Sequence, residues 1–86
     1  MRLEEYRRGY MLLLTRYQPR GRREAELQEL LINRLYTLNE ASAYILARDL
    51  YEIIHHEDVS KEFKEMTERM LVDLAKALQA TREHEA

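Results

Sequence analysis

Arg48 and His55 stand seven residues apart in Arg48-Asp49-Leu50-Tyr51-Glu52-Ile53-Ile54-His55, a spacing that returns two side chains to one face of a helix. An imidazole on that face can take or give a proton while the neighbouring guanidinium holds a phosphate. The same stretch contains Glu52-x-x-His55, half of a carboxylate-bridged dimetal motif. The other half is missing, because the residue three before His84 is Thr81; no metal and no other cofactor is expected. The third set with chemical potential is Arg7, Arg8, Arg16, Arg20, Arg22 and Arg23, interleaved with Tyr6, Tyr10 and Tyr17. Guanidinium forks suit phosphate oxygens, and tyrosine rings can stack on bases.

The Arg48 to His55 spacing resembles the Arg-x(4–6)-His signature of the helical HEPN ribonucleases, and the resemblance implies RNA cleavage with a dimer mate supplying a second copy. The plainer reading pairs Arg48 with Glu52 and leaves His55 and His56 near a helix C-terminus, where the dipole favours cations. We take the plainer reading and expect no enzyme. Tyr36-Thr37-Leu38-Asn39-Glu40-Ala41-Ser42-Ala43-Tyr44-Ile45, followed by Arg48 and Leu50-Tyr51-Glu52-Ile53-Ile54, is similar to excisionase-type helix-turn-helix DNA-binding domains. That family places a glycine-containing turn between its two helices, whereas Leu46-Ala47 joins them directly here. One continuous helix follows, which cannot angle a recognition segment into a major groove. With two glycines and no cysteine, nothing here forms a phosphate-cradling loop, a nucleophile elbow or a thiolate metal site.

These residues must be carried by helices. Leu3, Tyr6, Tyr10, Leu13, Leu14 and Tyr17 recur mostly at spacings of three and four, predicting a helix over 3–17. Pro19 and Gly21 end it in a turn. Leu27, Leu30, Leu31 and Leu35 mark a second helix over 23–36, with Glu24 and Glu26 favoured in its first turn by the helix dipole. Thr37-x-x-Glu40 has the capping-box spacing and predicts a third helix over 38–56. Tyr44, Leu46, Tyr51 and Ile53 make that helix apolar on more than one side, as a central helix is. Asp58 or Ser60 can cap a fourth helix over 60–83, whose stripe is Val59, Phe63, Met66, Met70, Leu74, Ala77 and Ala80. Fraying is expected from Thr81 onward, where no C-cap residue follows.

The fold class is therefore all-α, a small antiparallel bundle of about four helices forming one domain over residues 1–86. A chain of 86 residues covers its apolar surface poorly alone, so a homodimer is expected, with Phe63, Met66, Met70 and Leu74 as the stripe that meets a partner. Residues 1–23 carry seven arginines against Glu4 and Glu5, a balance of +5, while residues 24–86 carry seven basic and fourteen acidic residues, a balance of −7. This polarity suits either an anionic ligand at the basic end or pairing of the protein with itself. The function expected is a cytoplasmic interaction or regulatory protein whose partners are a second copy and another protein, with no membrane span and no export signal. The alternative is a nucleic-acid-binding regulator or accessory subunit using Arg16, Arg20, Arg22 and Arg23.

Overall fold

The computed structural model describes residues 1–85, with side chains through residue 83. Four helices run α1(Leu3–Arg16), α2(Arg22–Tyr36), α3(Ala43–His56) and α4(Lys61–Glu85), and the described residues contain no strand. Each helix packs on its chain neighbour, and α1 closes the circuit against α4. At ~1.5 Å per residue α4 is ~37 Å long, and it runs along most of the bundle's 43 Å axis. None of the described helices is long and apolar enough to cross a membrane.

The core is one cluster, drawn from Tyr6 and Leu14 of α1, Leu31 and Leu35 of α2, Leu46 and Leu50 of α3, and Phe63 and Met70 of α4, among others. Full burial of each such side chain contributes roughly 1.5–3 kcal/mol. Two expectations change here. Leu13 lies off the core stripe and is exposed, leaving Leu14 to fill that layer. Phe63, Met66, Met70 and Leu74 are not a free stripe: all four are buried within the single chain, Met66 being the least covered at 7% exposure. The reason is the closed circuit, which gives α4 a partner helix on both flanks.

The turns explain where each helix stops. Gly21 adopts φ 109°, ψ 172° immediately before α2, a conformation that side chains with a Cβ scarcely enter. The expected Thr37/Glu40 cap does not form, and α3 begins at Ala43 instead of 38, after a turn over residues 39–42 and with no side-chain cap bond from Ser42 to the helix. Asn39 Oδ1 accepts the Ser42 N–H at 2.8 Å and Ser42 Oγ accepts the Asn39 N–H at 3.0 Å, a reciprocal pair that closes this turn. Thr37 is occupied elsewhere, its hydroxyl bonded back to the Asn33 and Arg34 carbonyls in the last turn of α2. Leu38 and Ala43, on either side of this turn, are both buried. At α4, Ser60 Oγ accepts the Phe63 N–H, the N-cap bond expected of it. At its far end α4 continues past Thr81, whose hydroxyl donates to the Ala77 carbonyl and accepts the Leu3 N–H that opens α1, while the last part of the tail expected to fray, at Ala86, lies outside the described residues.

Long polar arms close the remaining helix ends. Gln28 donates to the carbonyls of Leu14 and Tyr17 at the end of α1. Arg7 reaches from α1 to the end of α2, where it donates to the carbonyls of Leu35 (2.6 Å), Tyr36 (3.0 Å) and Leu38 (2.6 Å). A guanidinium fork answers carbonyls that no intrahelical N–H can reach. Arg7→Met, which keeps the apolar stem, is expected to lower unfolding free energy by about 2 kcal/mol. Urea titration should show this as a reduced midpoint at unchanged slope.

Candidate functional site

The arginines nominated for anion contact divide in two. Arg20, in the α1–α2 turn, is bound to Glu62 at 2.7 Å. Arg23, in the first turn of α2, grips Glu57 with two bonds of 2.8 and 2.7 Å and also lies 3.6 Å from Glu26. The contact with Glu57 raises the Arg23 pKa, and Arg23 in turn holds the Glu57 carboxyl below its ordinary value. Arg16 and Arg22 are exposed, and among the described residues neither is in an ion pair. Arg16 and Arg20 share a groove of about 530 Å³ between α1 and α4, floored by Leu13, Tyr17 and Met66 and edged by Glu62. Arg22 and Arg23 are not part of its lining. The basic end is thus partly neutralised by the acidic body of the same chain.

At the centre of that pole sits Glu24, 3% exposed. Its Oε1 accepts the Tyr17 hydroxyl at 2.6 Å and the Arg20 N–H at 3.0 Å, while Oε2 accepts the Ser60 N–H at 2.8 Å. Burial by itself would raise this carboxyl, but the donors from Tyr17, Arg20 and Ser60 outweigh it and hold the pKa down to about 2. The Tyr17 hydroxyl is pushed up, first by burial and then by its bond to Glu24. One carboxylate therefore fastens the end of α1, the α1–α2 turn and the start of α4. With its oxygens engaged and its charge fixed at neutral pH, Glu24 is a clasp and not a proton carrier. Its role could be suspected from spacing, since Glu24, Leu27, Leu31 and Leu35 follow one stripe and an acid occupies its first position.

The other interior hydroxyls are also structural. Tyr6 donates to the Met70 carbonyl in mid-α4 at 2.8 Å and Tyr10 to Asp73. Burial, then Asp73, pushes the Tyr10 hydroxyl up, and burial does the same to Tyr6. These rings are therefore unavailable for stacking on bases.

No family model, curated protein or solved structure matches this chain. The functional reading rests on its surface.

That surface is most distinctive on α3, which runs unbroken from Ala43 to His56 with no turn at Leu46-Ala47. Arg48 and His55 share its outward face as their spacing requires, and Tyr44 and Tyr51 lie on the same stripe. All four are exposed, Tyr44 at 66% and Tyr51 at 53%. The Tyr51 and His55 rings are 4.2 Å apart between centroids. The expected Arg48–Glu52 pair does not form within the helix, and among the described residues neither side chain has an ion-pair or hydrogen-bond partner. Asp49 instead faces α2 and binds Arg34 at 2.6 Å.

Proposed function

We propose that this chain is a small cytoplasmic interaction protein that acts as a homodimer, regulates by binding another protein and carries out no chemistry of its own. The observation supporting this reading is the solvent-facing stripe of Tyr44, Arg48, Tyr51 and His55 on α3, in a chain whose core is already closed. Tyrosine and arginine are the residue types most enriched among side chains that dominate binding energy at protein interfaces. The interior Tyr6, Tyr10, Tyr17 and Glu24 are tied into structural hydrogen bonds, which suits a scaffold better than a catalyst. For the nucleic-acid alternative, a phosphate at Arg20 or Arg23 would have to displace Glu62 or Glu57.

Sedimentation at several protein concentrations, with and without a short DNA or RNA duplex, separates these readings. The expected result is a concentration-dependent dimer indifferent to duplex. Binding to duplex that weakens steeply from low to moderate salt, and falls with Arg16→Ala and Arg22→Ala, would replace the interaction reading with the nucleic-acid one.

A further inference from the structure

We propose that the outward face of α3 docks on the same face of a second copy, the two helices lying antiparallel about a two-fold axis at Leu50. The inference rests on the homodimer reading and adds to it the surface, the orientation and the register.

The stripe Tyr44, Arg48, Tyr51, His55 has successive gaps of four, three and four, a sequence of spacings that reads the same in both directions. Turned end for end, it superposes on itself. Tyr44 then faces His55 of the other copy and Arg48 faces Tyr51. Both pairings are chemically favourable, an aromatic ring on an imidazole and a guanidinium on a tyrosine face. Because a two-fold axis applies each contact twice, one stripe supplies four such contacts.

The flanks agree with the same axis. In an antiparallel pair each flank of a helix meets its own symmetry mate. Arg48, at the edge of the stripe, and Glu52 beside it form one flank, opposite charges that have no ion-pair or hydrogen-bond partner among the described residues. The axis at Leu50 sets Arg48 of each copy against Glu52 of the other. The opposite flank carries Ala47 and Ile54, both half-buried, and the axis places the small residue against the large one. The stripe, the charged flank and the apolar flank are centred within about half a residue of Leu50, so a single register satisfies all three.

A single helix face is small beside the ~20–30 residues a side of a standard interface, so the constant is sought over a wide range of concentration. Sedimentation equilibrium should therefore cover ~1–500 µM. Arg48→Glu sets one acid against Glu52 of the partner in each of the two symmetric contacts and is expected to weaken association at least tenfold. The exchange Arg48→Glu with Glu52→Arg restores opposite charges across the axis but not the two Arg48–Tyr51 contacts, so it should associate several-fold more tightly than Arg48→Glu alone while remaining weaker than the unaltered protein. These side chains are exposed, and circular dichroism checks that the helices persist. Weakening by Arg48→Glu without recovery in the exchange variant would overturn the antiparallel register. A dimer unaffected by Arg48→Glu and by Tyr51→Glu would overturn the α3 surface while leaving the homodimer reading intact. A monomer at every concentration would overturn both.

Discussion

Glu24→Gln is expected to cost this bundle about 3 kcal/mol, a drop of roughly 12 to 24 °C in Tm. The amide cannot match a carboxylate that accepts from Tyr17, Arg20 and Ser60, and its own NH₂ meets groups that are themselves donors. The size follows from the depression of the carboxyl from 4.5 to about 2, a preference of the folded state for the ionised form worth about 1.4 kcal/mol per pH unit. A depressed acid stabilises fully above its unfolded value and progressively less as the pH falls through its folded one. The contribution is therefore complete above about pH 4.5 and disappears toward pH 2. Thermal unfolding followed by circular dichroism should show a gap between the two proteins at pH 7 that narrows steadily across this window. A gap of the same width at pH 2.5 and pH 7 would mean that the Glu24 charge does not supply the clasp.

Phe63→Ala is the second large loss, expected at about 3–5 kcal/mol. The ring is fully buried, and its centroid lies 5.3 Å from that of Tyr17. For a chain of 86 residues the whole unfolding free energy is on the order of 4–13 kcal/mol, so one substitution removes a large share. The measurement also separates two locations for this side chain. A residue inside one chain costs the same at any protein concentration, whereas one lying between subunits makes the loss concentration-dependent. Urea unfolding of both proteins at two concentrations tenfold apart should give the same difference in stability.

The helices were legible because their evidence is local. Spacings of three and four, Pro19 beside Gly21, and Ser60 three residues before Phe63 each place a boundary within a few positions in the chain. The surface proposed for docking was half legible. Tyr44 and Tyr51 widened the apolar face of α3 in the sequence, but only the packing distinguishes an aromatic that points inward from one that remains in water. The same ambiguity worked the other way for Phe63, Met66, Met70 and Leu74, whose stripe reads equally as core or as partner surface until the flanks of α4 are known to be covered. Glu24 was visible as a first-turn acid at the head of the Leu27, Leu31, Leu35 stripe, without its partners. Its meaning depends on Ser60, 36 residues away, as that of Arg7 depends on carbonyls about 30 residues away. The Thr37/Glu40 box fails for a related reason, since the end of α2 claims the threonine hydroxyl and the Asn39/Ser42 pair closes the turn instead.

The bond between the Leu3 N–H and Thr81 has a topological consequence. The four helices form a ring in space, of which the polypeptide joins three corners and this contact marks the fourth. A short peptide bridge there and a cut at residues 39–41 would yield the order α3, α4, α1, α2 with the same neighbours throughout. A cut at the opposite pole, near Arg20 or Ser60, would sever the backbone beside the Glu24 clasp. The two poles of the ring are therefore fastened by different chemistry: at one a buried carboxylate joins three segments, and at the other the Asn39–Ser42 pair and the Arg7 guanidinium hold the turn beside the contact that brings α1 to α4.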